Sequence, residues 1–303
     1  MNDGSASFKA YAALLGMTVA FGFSFVATKV ALRGFEPLLV ALVRFACAGA
    51  ILWGLWRLRA VRETLTWPEV KRLALLGFVS LTVYFSFENL GLAHTSASDA
   101  AILIAAIPIF VSVLNAFTLR ERVGRLEWAG VSLSFIGVLA LIRFGAAGTG
   151  GATLLGNLLV LAASLSGAVY NVMARRLLLS RSALFVTAFQ NLFGALFMVP
   201  LAIVEALIVG VRRPTLAASE GVAYLVLFCS VLAYLLLNYG LRFVEASKAA
   251  VFVNLVPVVA VAGAYGFLGE RPTVGQLLAG GVVVAGVWLA NRGARAVRSP
   301  TAG

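Results

Sequence analysis

The chain has 303 residues, of which 61% are hydrophobic and 12% charged, and its mean hydropathy is +0.99. A chain of this length cannot hide so much apolar surface inside a water-soluble globule, which excludes the soluble classes and leaves an integral membrane protein. Its net charge of +12 would suggest nucleic acid in a soluble protein. Here the Lys and Arg residues fall in short connections between apolar runs, so they read as topology signals beside anionic headgroups, and no nucleic-acid partner is expected.

Ten apolar runs follow one another at 10–32, 38–57, 73–93, 97–119, 125–143, 153–174, 182–205, 220–241, 247–268 and 273–291. Each is long enough to cross about 30 Å of hydrocarbon as a helix, so the fold expected is an all-α membrane protein with ten transmembrane helices. Run one is followed by neither a small-residue cleavage site nor a polar mature domain, and it reads as a first helix, not a signal peptide. It carries Lys29 close to its far end, where the ammonium can either snorkel to headgroups or meet a substrate carboxylate. Run two holds Arg44. Run three holds Tyr84, Phe85, Glu88 and Asn89 and closes at His94, which reads as a solvated cap able to titrate near neutral pH.

Intramembrane polar groups must face protein or water, so they mark interhelical hydrogen bonds or a cavity. Glu88 reads as the one acidic side chain well inside a span, roughly 8 Å from the end of run three at ~1.5 Å per residue. Arg44 enters run two to a similar depth. The two are expected to pair or to share a vestibule, as a structural ion pair or as a coupling or substrate-binding group. Runs four and nine contain Pro108 and Pro257, each of which removes a backbone hydrogen bond and is a candidate hinge or a simple kink. Run six brings Ser166, Tyr170 and Asn171, run seven Gln190 and Asn191, run eight Tyr234 and Asn238, and run nine Asn254. Runs five and ten are poor in polar residues and rich in Gly and Ala, and are expected at the periphery. Cys47 and Cys229 lie inside runs two and eight and read as buried inert thiols with neither disulfide nor metal spacing.

The stretch Asn89 to Leu141 returns 149 residues later, without a gap, as Asn238 to Ala290, with thirteen of 53 pairs identical. Asn89/Asn238, Gly91/Gly240, Ala97/Ala246, Ser98/Ser247, Pro108/Pro257, Glu121/Glu270, Arg122/Arg271 and Gly137/Gly286 are among them. The chain is therefore a duplication, with a first five-helix repeat over 10–143 and a second over 153–291 forming one integrated transport domain. With the N-terminus inside, 17 of the 24 Lys and Arg residues fall in inside segments, 5 outside and 2 within helices. Both termini are then cytoplasmic, and an odd number of helices per half makes the repeat inverted. Phe85/Asn89 and Tyr234/Asn238 are i, i+4 pairs matched by the repeat, which predicts two opposed aromatic-plus-amide faces around a symmetric pocket. Glu121-Arg122 and Glu270-Arg271 read as helix-end charges fixing short turns at opposite membrane faces, or as gates.

Much is missing. There is no G-x-x-x-x-G-K-[ST] loop, H-E-x-x-H pair, G-x-S-x-G elbow or Arg-ladder voltage sensor. Neither an enzymatic activity, a cofactor nor a metal is expected. Ile107-Pro108 to Thr118-Leu119-Arg120-Glu121-Arg122 with Gly130 and Gly137, and Val256-Pro257 to Phe267-Leu268-Gly269-Glu270-Arg271 with Gly286, resemble helices four to five and nine to ten of the drug/metabolite transporter superfamily, in its ten-helix EamA branch. Gly22, Phe25, Lys29 to Leu32 and Arg44-Phe45 fit the same pattern. The resemblance implies alternating access around a central cavity and, more loosely, export of amino acids including aromatic ones across a bacterial inner membrane. Efflux of cationic drugs would need an aromatic cage with Glu88, and nucleotide-sugar or sugar-phosphate exchange would need several basic residues in the cavity. A channel or receptor would show a filter-like ring or binding without saturable flux, and a scramblase is a further alternative. Ten helices can enclose a cavity alone, so a monomer is expected.

Overall fold

The computed structural model describes residues 3–58, 65–118, 124–145, 152–178, 181–244 and 251–298, and every element in them is helical. Ten helices are long and apolar enough to span a membrane. They are helix 1 (Phe8–Ala31), helix 2 (Pro37–Arg57), helix 3 (Trp67–His94), helix 4 (Ala97–Phe117), helix 5 (Arg125–Phe144), helix 6 (Leu154–Ala174), helix 7 (Ala183–Val209), helix 8 (Leu216–Leu241), helix 9 (Val251–Leu268) and helix 10 (Val274–Ala294). The expected spans agree within a few residues except at the start of helix 3, which begins at Trp67 and not at 73. Hydropathy misses that first turn because it is polar. A capping box nonetheless makes it helical, with the Thr66 amide and hydroxyl donating to the Glu69 carboxylate at 3.0 and 2.6 Å and Pro68 in the first turn.

Four helices are irregular in places that correspond between the halves. Helix 4 breaks at Ala105–Ala106 and helix 9 at Leu255, each just before its proline. Helix 3 winds as π-helix over Phe78–Val83 and helix 8 over Leu225–Leu232. Helix 9 also ends in a π-turn, Ala264–Leu268. At the breaks the Leu103 and Phe252 carbonyls accept the tighter backbone bonds of Ala106 and Leu255 at 3.2 and 3.1 Å, and with no water in hydrocarbon their remaining capacity is met by protein donors. The Thr18 hydroxyl of helix 1 donates to the Phe252 carbonyl of helix 9 at 2.9 Å, and the Ser164 hydroxyl of helix 6 donates to the Leu103 carbonyl of helix 4 at 3.0 Å. Residues 103 and 252 are 149 positions apart, the repeat distance.

The main packing partners cross between the two groups of five helices. Helix 1 packs on helices 8 and 9, helix 6 on helices 3 and 4, helix 2 on helix 7, and helix 5 on helix 10. The five-helix repeats are thus interlaced and not two bundles placed side by side. Helices 5 and 10, expected only to be peripheral, form the most extensive pair of all. Their glycines explain it: a Cβ on Gly130 would strike the backbone of Ala290 and Gly286, and one on Gly286 would strike the backbone of Ser134. Close approach lets dispersion act between helices for which burial from water supplies no force in lipid.

Of the two cysteines, Cys229 is buried, with its thiol toward the Ala20 carbonyl at 3.2 Å. Cys47 is exposed, against the expectation of two buried thiols, because it lies on a face of helix 2 that none of the described residues covers.

Replacing Gly286 by Val is expected to lower stability by roughly 1–3 kcal/mol, the usual cost of forcing atoms into a filled contact. Thermal unfolding in detergent or nanodiscs checks this, and Gly281→Val on the same helix, where an added Cβ meets nothing within 4 Å, should leave the midpoint nearly unchanged.

Candidate functional site

A polar cluster occupies the interior where helices 2, 3, 6, 7 and 8 converge. Arg44 and Glu88 are each 7% exposed. The Arg44 Nε donates to the Ser230 hydroxyl at 2.9 Å, and its guanidinium carbon lies 4.8 Å from the Phe85 ring centroid and 5.2 Å from that of Phe45. Phe45 and Phe85 meet edge to face at 4.6 Å, and Tyr84 packs on Phe85 at 4.7 Å. The Tyr84 hydroxyl interacts with the Glu88 carboxylate, and Glu88 lies within electrostatic reach of Arg44. A buried charge of either sign is costly without such company, and here it has an opposite charge, a hydroxyl and aromatic faces.

Across the cluster, the Gln190 amide donates to the Ser80 hydroxyl at 2.6 Å and also meets the Tyr170 side chain. Helices 2 and 7 are the second helices of their halves, and helices 3 and 8 the third. Arg44 of helix 2 therefore reaches Ser230 in the π-helical segment of helix 8, and Gln190 of helix 7 reaches Ser80 in the π-helical segment of helix 3. Both bonds cross between halves and join corresponding helices, although in the 149-residue register Ser80 matches Cys229 and Ser230 matches Leu81. π-segments widen a helix locally and aim side chains that a regular α-helix would direct elsewhere.

The structure brings together seven of the residues singled out from the sequence: Arg44, Tyr84, Phe85, Glu88, Tyr170, Gln190 and Tyr234. Tyr234 packs on Phe21 at 5.8 Å and lies in the electrostatic neighbourhood of Arg44 and Tyr170. Other residues have different surroundings. The Asn89 amide is buried and donates to the Pro37 carbonyl at 2.9 Å, tying helix 3 to the start of helix 2. Asn171 is exposed and returns its amide to Gly167 of its own helix at 2.7 Å, outside the cluster. Asn191 likewise bonds Thr187 one turn back. Asn238 and Asn254 are half-buried, and no hydrogen bond of their side chains is made among the described residues. Pro108 and Pro257 stand at the two helix breaks. Glu121 and Arg122 lie outside the described residues.

Arg44 and Glu88, expected to pair or to share a vestibule, form no direct ion pair, and neither is among the residues that line the cavity at the nearby membrane face. The reason is geometric: Ser230 and the rings hold the guanidinium, and the cavity ends above them. That cavity has a volume of about 580 Å³ and opens where helices 1, 3 and 9 end, helix 2 begins and helix 7 ends. It is lined by Lys29, Arg33, Glu36, His94, Glu205, Arg212 and Glu270 among others. Lys29 is a lining residue here, half-buried and in the field of Glu270. His94 ends its helix as expected, exposed, with its carbonyl taken by Thr153.

Sequence reading named Glu88 as the one acidic side chain deep in a span, but Asp99 is fully buried as well, and Glu36, Glu127 and Glu270 are at most 8% exposed. Asp99 accepts from Gln276 at 2.9 Å. Glu270 reaches across to helix 4 and accepts from the Ala97 and Ser98 amides at 2.8 and 3.0 Å and from the Ser98 hydroxyl at 2.7 Å. Gly269, at φ 68°, turns the chain into the left-handed region that a side chain disfavours and so aims the carboxylate there. Ser80, Ser230, Thr18 and Ser164 were also missed. Hydroxyls on apolar helices carry no signal until their acceptors or donors are known, although the Ser80 and Ser230 positions in corresponding helices were a visible hint.

Ten spanning helices with charge and aromatic rings closed into their centre, and a water-accessible cavity leading partway in, define a multi-pass transporter of small molecules. The chain belongs to the EamA-like transporter family, whose pattern it matches over residues 8–143 and again over 154–292, and it is a protein of the inner (cytoplasmic) membrane. It is 30% identical over 273 residues to an uncharacterized transporter of Archaeoglobus fulgidus, covering 88% of this chain and 91% of that one. It is 31% identical over 257 residues to the uncharacterized transporter YetK of Bacillus subtilis, covering 83% and 77%. A probable terminal-alkyne amino-acid exporter of Streptantibioticus cattleyicolor is 29% identical over 287 residues, covering 94% of both chains. A solved crystal structure with 20% identity superposes with a TM-score of 0.61 over 97% of this chain and 99% of that one, which shows a shared fold.

Ser230→Ala leaves a buried guanidinium without its neutral acceptor, and a cost of roughly 1.5–3 kcal/mol is expected for a hydrogen bond to a charged group. Thermal unfolding should show Ser230→Ala as more damaging than Ser80→Ala, whose partner Gln190 is uncharged.

Proposed function

We propose that this protein exports amino acids, aromatic ones included, across the inner membrane by alternating access, working as a monomer. The observation that carries this reading is the central cluster, which sets a cation, an anion and aromatic faces side by side at the meeting of five helices. A zwitterionic headgroup needs opposite charges, and an aromatic side chain needs an apolar wall with ring edges and faces. Tyr84, Phe85, Glu88, Tyr170, Gln190 and Tyr234 are the proposed substrate contacts. Arg44 is the carboxylate partner, and Asn89, Asn171, Asn238 and Asn254 come into play as the helices move. Glu88 serves as the coupling carboxylate. The name of the Streptantibioticus relative supports the substrate class.

The excess of Lys and Arg at one face supports cytoplasmic termini, which turns the 580 Å³ cavity outward. In that orientation the conformation is open to the outside with the central cluster closed beneath. Pro108 and Pro257, at helix breaks whose nearby carbonyls are held by hydroxyls of another helix, serve as hinges. Efflux of organic cations is the weaker reading, because the Phe45 and Phe85 faces that would cage a cation already hold Arg44.

Counterflow of labelled phenylalanine into proteoliposomes of the purified protein tests the proposal. Saturable exchange is expected, with Arg44→Leu and Glu88→Gln each lowering it at least about tenfold, since each removes a charge-assisted contact worth more than ~1.4 kcal/mol. A cationic dye that is exchanged while no amino acid is would overturn the substrate assignment.

A further inference from the structure

The cavity carries three carboxylates and three cations besides His94, but the two sets are not equally engaged. Glu205 accepts from the Leu38 and Leu39 amides at 2.9 and 3.3 Å and so caps helix 2. Glu270 caps helix 4 with both oxygens, and Glu36 accepts from the Arg212 amide at 2.8 Å, with the Arg212 side chain 3.9 Å away. Most of the negative charge of this cavity is thus directed at backbone N–H groups and helix N-termini, with Glu36 Oε2 buried and without a hydrogen-bond partner among the described residues.

Lys29 and Arg33 are different. They lie four residues apart, Lys29 in the last turn of helix 1 and Arg33 in the bend that follows, and both line the cavity. Neither side chain makes a hydrogen bond or ion pair among the described residues, and Lys29 feels the attraction of Glu270 as well as the repulsion of Arg33. Like charges at this spacing oppose one another, and Lys29 is half-buried besides. An anion between them would relieve both costs at once.

We propose that Lys29, assisted by Arg33, forms a second, shallower subsite that takes the carboxylate of the transported molecule between the outside and the central cluster. The cationic and carboxylate side chains of the cavity balance, so a monoanion or zwitterion fits its field better than a phosphate dianion, which the three carboxylates would repel. An ammonium group on the same molecule would be drawn to those carboxylates. The subsite rests on the amino-acid reading for its physiological occupant, but its chemistry does not depend on it.

The test uses the full-length protein in nanodiscs and follows thermal stabilisation by phenylacetate, phenethylamine and inorganic phosphate, alongside phenylalanine counterflow in liposomes. In Lys29→Gln, apparent phenylacetate affinity should fall about tenfold, the loss of one charge-assisted contact, while phenethylamine affinity changes little. Lys29→Arg should restore phenylacetate binding. The proposal is overturned if phenylacetate binds equally well with Gln at 29, or if acid and amine weaken together and Arg does not rescue. It fails too if inorganic phosphate, and no carboxylate, depends on Lys29. Phenylalanine exchange with an unchanged KM in Lys29→Gln would sink the subsite and leave the transport reading intact. Lys29-dependent phenylacetate binding in a protein that exchanges no amino acid would uphold the subsite and refute the substrate assignment.

Discussion

A helix that breaks inside hydrocarbon must have its loosened backbone met by protein, and in this fold the partner comes from the other half of the chain. Thr18 serves the break in helix 9, and Ser164 serves the break in helix 4. Each carbonyl also keeps a backbone partner in its own helix, Ala106 N–H to Leu103 at 3.2 Å and Leu255 N–H to Phe252 at 3.1 Å, so the hydroxyl from the other half is a second donor at a loosened turn. The interlacing of the halves follows from this requirement as much as from the close glycine contact of helices 5 and 10.

The same exchange recurs at the centre. Arg44 and Gln190 come from corresponding helices and bind serines in the corresponding π-helical segments of the opposite halves. The symmetry is kept in the helices and their π-helical segments, while the two serines stand one residue out of the repeat register and the donors differ, one a cation and one a neutral amide. Duplication thus supplies a similar scaffold on both sides, while divergence in the donor and in the serine position places net charge on one of them. Glu88 and Tyr84 lie near the charged member, and Tyr170 beside the neutral one, so the centre is polar throughout but polarised across its width.

The sequence located most of the central cluster because charge and aromatic rings are rare enough in apolar helices to stand out. It was less informative where a polar residue has a local use. Asn89 and Asn238 match in the repeat and share a helix face with Phe85 and Tyr234, yet Asn89 is committed to the Pro37 carbonyl. Asn171 fails for a related reason, since an amide one turn from a carbonyl of its own helix can bond there without a partner. Glu270 was read as a local turn charge, and nothing along the chain indicates that it crosses to cap helix 4 after Gly269 reverses the backbone.

By itself the sequence determined the membrane class, ten spans within a few residues, the duplication and the pairing of Pro108 with Pro257, because these depend on hydropathy, length and periodicity, which are local properties. Only the tertiary structure decided which half partners which, that Arg44 and Glu88 are not among the residues lining the cavity, and that Glu205 and Glu270 on its wall are committed to the starts of helices 2 and 4. Those outcomes depend on which backbone N–H and C=O groups remain to be satisfied after the helices have packed, and that remainder exists only once distant segments have met.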